Sequence, residues 1–373
     1  MKNEEVRAED WCKAALPVSG SIVILDTGST DKTKRILRRN KVMVFDSKIF
    51  SAFTPLGNFE FHTARNEAAE HVIDSDWILI LDADEEVTIE DTSWLEQLAE
   101  VPEDIHGLQC TVRLRRKGGP AMQEFQSVRL HRNYEKIQWQ GAMHNSLNIP
   151  PEKLQRFVGI SVDSYRGISG EKNTEDRTKQ RVAMAEKYFG GRIEDNPKDT
   201  RAMFYLAQTH FDVCDYAKAI RYFNLYLQTS TFCRDEAYQA ALYLTKAYKA
   251  IGLLEDAEIV MSQSLRLNPT RAEGYLLLGR IAYEQGRYHD ALVWYIWASK
   301  CDAVTVFFKE PHAYTYEPWE AMSMAYYRLL MGKKARECAE KALSYRKDMT
   351  ASVIKQIEKN LTYFDKVAEE HNA

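Results

Sequence analysis

Apolar residues follow two different rhythms along this chain. In the first part they come as short unbroken runs, Ile22-Val23-Ile24-Leu25 and Trp77-Ile78-Leu79-Ile80-Leu81. Runs of that length between polar turns are the pattern of strands buried on both faces. The first run passes into Asp26-Thr27-Gly28-Ser29-Thr30-Asp31 and then into a helix expected from Lys32 to Arg39. Gly28 permits the tight turn, Ser29 or Thr30 is expected to cap the helix, and Asp31 suits its positive N-terminal end. A further helix, expected to start at Thr63-Ala64-Arg65-Asn66-Glu67-Ala68-Ala69, leads into the second strand.

Beyond about residue 190 the rhythm becomes that of paired helices. Ala219, Ala257, Ala291 and Ala335 each follow by thirteen positions Leu206, Leu244, Leu278 and Met322, and Phe223, Met261, Tyr295 and Ala339 come four later. This spacing resembles tetratricopeptide repeats. The resemblance implies a short right-handed superhelix over about 190–345, each pair burying its stripe on the next, closed by a polar helix at about 349–370. Pro269 and the expected turn glycines Gly252, Gly286 and Gly332 punctuate it, and residues 301–315, with Phe307, Phe308 and His312, interrupt it. Such repeats bind an extended peptide or a protein surface. Tyr205, Tyr222, Tyr226, Tyr243, Tyr275, Tyr283 and Tyr295 fall mostly on packing positions, so most are expected in the core.

The candidate chemistry lies in the first part. Asp82-Ala83-Asp84-Glu85 follows the second strand directly. If the strand continues, side-chain alternation puts Asp82 and Asp84 on one face about 6–7 Å apart. Two like charges so close are costly unless a cation or hydrogen-bond donors offset them. Hard divalent ions take oxygen ligands and share them with phosphates, so a metal–diphosphate complex suits the pair. An isolated Asp-x-Asp reads more simply as a capped strand, but this one has company. Asp26 stands at the C-terminal end of a strand, where ligands of open α/β sheets bind, and capping does not explain it. Arg65 and Asn66 lie near a helix N-terminus that would welcome an anion.

Lys2-Asn3-Glu4-Glu5, Asp26-Thr27-Gly28-Ser29-Thr30-Asp31, Ala64-Arg65-Asn66 and Asp82-Ala83-Asp84-Glu85, in that order, resemble the family-two glycosyltransferases with a GT-A fold, over roughly 1–165. The resemblance implies an α/β, Rossmann-like N-terminal domain that binds a nucleotide-diphosphate sugar, followed by the all-α repeat superhelix. Asp26 would contact the base or ribose, Asp82 the ribose or sugar, and Asp84 the metal, while Arg65 and Asn66 orient the donor. Asn3, Glu4, Gly28, Ser29, Asp31 and Arg129 are grouped with them as donor-binding residues. Asp82, Asp84, Glu85 and His144 are grouped as catalytic, with Asp84 and His144 as ligands of Mn2+ or Mg2+.

Two departures from the family pattern carry weight. Relatives usually have an apolar strand just before the Lys-Asn-Glu segment, whereas this sequence opens at Met1-Lys2-Asn3, and a sheet without that strand exposes the edge of its neighbour. Val128-Arg129-Leu130-His131-Arg132 through Gly141-Ala142-Met143-His144-Asn145 resembles a segment in which a Glu follows the His, and here it is Asn145. An amide cannot take a proton at neutral pH. Glu85, Glu124 and Asp163 are the remaining acidic candidates for a base. A cysteine thiolate acceptor needs little base, as expected of relatives resembling bacteriocin-modifying S-glycosyltransferases.

Composition narrows the remaining classes. The 373 residues, 45% hydrophobic, suffice for two cores. The expected partition is 1–165, a helical linker 166–189, and 190–373. No run approaches the roughly twenty apolar residues of a membrane span, and the N-terminus is too polar for a signal peptide. Cys12, Cys110, Cys214, Cys233, Cys301 and Cys338 are scattered without ligand spacing, as expected of reduced thiols in the cytoplasm. A net charge of −4 and a pI near 6.2 argue against bulk nucleic-acid binding. The basic stretch Arg113-Leu114-Arg115-Arg116-Lys117-Gly118-Gly119 is the first candidate for contact with a polyanion. A hexosyl- or pentosyltransferase acting in an inverting sense on a protein or peptide is the leading expectation. The alternatives are a glycan or modified viral DNA as acceptor, or a binding scaffold built on a degenerate transferase domain.

Overall fold

The structure is a computed structural model that describes residues 1–48, 61–165, 175–229, 233–302 and 307–370. It comprises two compact units, Met1–Arg115 with Phe125–Met184, and Arg116–Glu124 with Ala185–Ala373. The expected linker 166–189 falls partly outside the described residues, at 166–174.

The first unit opens with helix α1 (Ala8–Ala15), which the apolar runs did not announce, followed by β1 (Val23–Asp26), α2 (Thr33–Arg39) and β2 (Met43–Asp46). β1 and β2 pair in parallel, with Val23 opposite Met43. After α3 (Phe61–Ala69) come β3 (Trp77–Leu79), β4 (Glu85–Ile89), α4 (Trp94–Ala99), β5 (Gly107–Arg115), β6 (Ala121–Arg132), β7 (Trp139–Gln140), β8 (Ser146–Leu147) and β9 (Leu154–Ser164). Five of these strands form a mixed sheet in the order β3-β6-β5-β9-β4, and β7 and β8 form a small ribbon. Trp94, Leu108, Cys110, Leu130, Phe157 and Ile160 fill one core of this unit, and Ala8, Trp11, Cys12, Ile24, Leu37 and Val42 fill another against β1.

The fully buried strand expected at Trp77–Leu81 is shorter and only half-buried. β3 stands at the end of the sheet order, so one of its edges lacks a strand partner. The expected cap of α2 also differs. Neither Ser29 nor Thr30 supplies it; the Asp31 carboxylate accepts from the N–H of Thr33 (2.9 Å) and of Glu5 (3.1 Å).

The second unit is helical. α5 (Glu175–Ala185) ends at its boundary, and α6 (Gly191–Asp195) precedes four antiparallel pairs: α7 (Thr200–Asp212) with α8 (Tyr216–Gln228), α9 (Arg234–Ala250) with α10 (Leu254–Ser264), α11 (Ala272–Glu284) with α12 (Tyr288–Ala298), and α13 (Glu317–Arg328) with α14 (Gly332–Leu343). α15 (Ala351–Glu370) closes it. The periodic residues sit where their spacing placed them, with Ala219, Ala257, Ala291 and Ala335 all at 0% exposure and Leu206, Leu244, Leu278 and Met322 at most 3%. Tyr226 and Tyr295 are buried, and the other five tyrosines of the series are half-buried against the same clusters.

Two of the expected turn glycines hold, since Gly252 (φ 82°) and Gly286 (φ 77°) take left-handed backbone. Gly332 does not. Leu330 (φ 60°) makes that turn, and Gly332 lies in α14 where a Cβ would strike the backbone of Ala368 and Phe364 in α15. The interruption before α13 is anchored by a buried polar cluster. Glu273 accepts from the hydroxyl of Tyr314 (2.8 Å) and the N–H of Glu310 (3.0 Å), Arg271 donates to the Phe308 carbonyl, and Lys246 pairs with Glu310 (2.7 Å). Residues 303–306 of that segment lie outside the described residues.

Candidate functional site

Asp82 and Asp84 do not end a strand. They belong to the tight turn between β3 and β4, closed by the Glu85 N–H on the Asp82 carbonyl at 3.1 Å. Strand alternation is therefore not what sets their side chains. Glu85 is the pin of this turn: its Oε2 accepts from the Asp82 N–H (2.9 Å), its Oε1 pairs with Arg129 Nη2 (2.7 Å), and the residue is 1% exposed. Burial pushes the Glu85 carboxyl above its ordinary range, against the pull of Arg129. Glu85 and Arg129, expected among the catalytic and donor-binding residues, thus point inward and hold the turn. Trp11 adds a donor, Nε1 to the Asp82 carbonyl at 3.0 Å.

Above this turn the two carboxylates differ. Asp82 Oδ1 is held by Arg65 Nη2 at 2.6 Å, whereas the Asp84 carboxylate takes no hydrogen bond or ion pair from any described residue. Arg65 is fixed on three sides: by Asp82, by the side-chain oxygen of Asn145, and by the ring of Trp139, over which its guanidinium lies 4.4 Å from the centroid. Asn66 sets that ring by exchanging two hydrogen bonds with the Trp139 backbone, at 2.8 and 3.1 Å. The structure therefore brings Arg65, Asn66, Asp82 and Asn145 together. Sequence reasoning missed Trp11 and Trp139, which no motif marks.

The first two motifs are joined backbone to side chain. The N–H of Asn3 donates to Ser29 Oγ (3.0 Å), Asn3 Oδ1 accepts from the Thr30 N–H (2.8 Å), and the Glu4 N–H donates to Thr33 Oγ1 (2.8 Å). Asp26 closes the turn that follows β1 rather than capping α2. Its Oδ2 accepts from the N–H groups of Gly28 (3.1 Å) and Ser29 (2.8 Å), with Lys34 Nζ at 3.8 Å. Its Oδ1 is buried without a hydrogen-bond partner among the described residues. A buried acceptor left open in this way suits a ligand that brings a donor, such as a ribose hydroxyl or base N–H.

A cleft of about 1150 Å³ opens between these parts. Its lining combines the polar Lys2, Glu4, Thr27, Arg65, Asp82 and Asp84 with the apolar runs Ile22–Leu25 and Trp77–Leu81. His144 is exposed, in left-handed backbone (φ 48°), and is not among the lining residues. Among the described residues no three His, Cys, Asp or Glu side chains gather to hold a metal ion. The free Asp84 carboxylate fits the mode in which a divalent ion takes one or two protein carboxylates and completes its shell with substrate phosphates and water.

Other candidates are engaged in structural pairs. Arg113 bridges Glu90 (2.7 Å) and Ser161 (2.9 Å), and Arg115 pairs with Asp163 (3.2 Å), which also accepts from Thr88 (3.1 Å). The basic stretch therefore presents Arg116 and Lys117 rather than its whole length. All six cysteines are free thiols, and burial pushes Cys110 up to about 12.

Residues 21–160 match the family described as glycosyl transferase family 2. Among solved structures, the chain is similar to MamA (19% identity over 46% of this chain and 91% of that one, TM-score 0.39) and to TTC0263, a thermophilic TPR protein of Thermus thermophilus (19%, 51% and 93%, TM-score 0.35). It is also similar to BtubC of P. vanneervenii (14%, 54% and 87%, TM-score 0.43). No curated protein matches the chain. Four motifs in order, the sheet that carries them and the family match converge: residues 21–160 are a family-two glycosyltransferase domain, followed in the chain by tetratricopeptide-like helix pairs.

Proposed function

We propose that the first unit is a metal-dependent, inverting glycosyltransferase that moves a hexose or pentose from a nucleotide-diphosphate sugar to a protein or peptide engaged by the helical repeats. One observation carries this reading: the Asp84 carboxylate, without a hydrogen bond or ion pair among the described residues, lines the cleft beside an Arg65–Asp82 pair that is locked in place. Asp84 would hold Mn2+ or Mg2+, which would offset the charge growing on the departing diphosphate. Asp26 Oδ1 would accept from the nucleoside, and Arg65 would face the diphosphate with its orientation already fixed by Trp139 and Asn145.

The acceptor's proton is the constraint on the second substrate. Glu85 is tied to Arg129 and Asp163 to Arg115, while Asn145 offers no carboxylate. An acceptor that ionises without help, a cysteine thiolate, fits such a site better than a hydroxyl. Six free thiols accord with a reducing compartment, and we place the protein in the cytoplasm on that ground.

The test is thermal shift with a panel of nucleotide-diphosphate sugars, with and without manganese, on the native chain and on Asp84→Asn. Metal-dependent stabilisation by one donor, lost in the variant while its ligand-free midpoint stays put, is the expected result. A response to no donor removes the reading. With the donor known, peptides differing only as Cys or Ser should divide in favour of Cys.

A further inference from the structure

The segment that interrupts the repeats before α13 is held by side chains drawn from three successive helix pairs. α9, α11 and α13 are the first helices of those pairs. Lys246 of α9 pairs with Glu310 (2.7 Å), and Glu273 of α11 accepts from the Glu310 N–H (3.0 Å). Glu317 of α13, itself paired with Arg280 of α11, stands 3.4 Å from His312 Nε2, and Glu310 flanks that imidazole at 3.6 Å. A surface assembled across neighbouring pairs is where repeat proteins take extended ligands. Here the chain itself lies on it.

Up to Glu310 the contacts are those of an extended peptide on a receptor. Arg271 Nη2 donates to the Phe308 carbonyl while Glu273 Oε1 takes the Glu310 N–H, so residues two apart turn their backbone to the same side. Lys309 between them turns both of its backbone groups the other way, to those of Glu124 in the same unit (2.7 Å each). Glu310 is itself extended, at φ −92° and ψ 101°. Arg271 and Glu273, 0% and 3% exposed, thus form a fixed donor and acceptor for peptide backbone, and Lys246 selects a carboxylate side chain. From Pro311 onward the segment enters the core, where Ala313 packs at 0% exposure with side chains of α11, α12 and α13. Arg271 Nη1 is buried without a partner among the described residues, so this occupant leaves one donor of the site unmatched.

We propose that Lys246, Arg271 and Glu273 form a binding site for an extended peptide bearing an acidic side chain, and that Phe308–Glu310 fills this site in cis as a strap that such a peptide displaces. The strap shows what the ligand supplies: a backbone carbonyl for Arg271, a backbone N–H two residues later for Glu273, and a carboxylate on that same residue for Lys246. Pro311 marks the end of the removable part, because the residues after it are held by the core and by the Tyr314 hydroxyl on Glu273 (2.8 Å). A strap tethered by a short linker competes at an effective concentration of about a millimolar. A peptide in trans therefore binds the native chain more weakly than it binds the bare site, by the fraction of molecules whose strap is open. The inference rests on the reading that the repeats engage a peptide, and it adds which peptide and what restrains it.

The probe is a capped, fluorescein-labelled peptide Phe-Phe-Lys-Glu-Pro-His, with a second in which Gln replaces Glu, titrated by anisotropy into full-length chains without donor or metal. Glu310→Ala loosens the strap and leaves Lys246, Arg271 and Glu273 in place, so it should bind the Glu peptide about ten-fold more tightly than the native chain does. Adding Lys246→Ala to that variant should bring the Glu and Gln peptides to equal affinity. A second measurement needs no variant: at saturating unlabelled peptide, the Glu310 amide of the native chain, released from Glu273, should exchange about ten-fold faster. Equal affinity of the native chain and Glu310→Ala, binding to neither, or unchanged exchange at Glu310 under saturating peptide each overturns the proposal. Neither donor nor metal enters the readout, so failure here is distinct from failure of the transferase reading.

Discussion

Asn145 shows how one side chain sets the charge of a site. Arg65 gives one arm of its fork to the Asp82 carboxylate and the other to a neutral amide, so the trio keeps more positive character than it would between two acids. Asn145→Glu should therefore weaken donor binding by about ten-fold, or ~1.4 kcal/mol, with little change in the ligand-free midpoint; titration calorimetry reads both the size and the sign. Unchanged or tighter donor binding would mean that Arg65 does not face the diphosphate. The thiols offer a second test at this scale. Cys12, Cys110 and Cys338 are buried while Cys214 is exposed, so a short pulse of iodoacetamide on the native chain should label Cys214 and spare those three until denaturant is added. Peptide mass analysis gives the answer directly.

At the scale of elements, what the sequence disclosed depended on how local the cause was. The helix pairs were legible because each is specified by residues thirteen and four apart that are buried within one repeat, as Leu278, Ala291 and Tyr295 are. The capping of α2 was misread because Asp31 and Glu5, not the neighbouring Ser29, close that turn, and no local signal reveals a partner some two dozen residues away. Gly332 was misread for the same reason, since its smallness serves α15 and not its own turn. Gly332→Ala should thus cost about 1–3 kcal/mol through overpacking against a backbone that cannot swing aside, seen as a lower urea midpoint, whereas a cost of only a few tenths would free α15 from that contact.

Helix pairing also sets a pH response. His210 is buried beside Glu186 (3.6 Å) and Asp215 (3.4 Å), with Lys218 close by, and burial followed by Lys218 holds its imidazole below the ordinary 6.5. A folded-state value below the unfolded one contributes stability that is present above pH 6.5 and is lost as pH falls through the folded value. His210→Gln should therefore flatten the fall of the thermal midpoint between pH 7.5 and 5.5 relative to the native chain; parallel curves would assign that fall to other groups.

For the whole molecule, the motifs disclosed which chemistry is present, and the fold disclosed how it is held. Four sequence motifs that span residues 2–85 each contribute to the lining of one cleft, through Lys2 and Glu4, Thr27, Arg65, and Asp82 and Asp84. Asn145 lies in a segment that the family resemblance marked, but the grip of Asn145 and Trp139 on Arg65 was hidden, since stacking depends on a ring brought from more than seventy residues away. Two compact units with their own cores also predict where ligand energy goes. A donor bound at Asp26, Arg65 and Asp84 stabilises only the unit that contains those residues, by an amount that grows with the logarithm of its concentration. Exchange measured with saturating donor and manganese should slow across β1, α3 and β3–β4 and leave α7–α14 within error of the free chain. Protection that instead spreads evenly through α7–α14 would mean that the repeats fold and unfold with the transferase domain as one cooperative body, and peptide acceptors would then have to be assayed with the donor already bound.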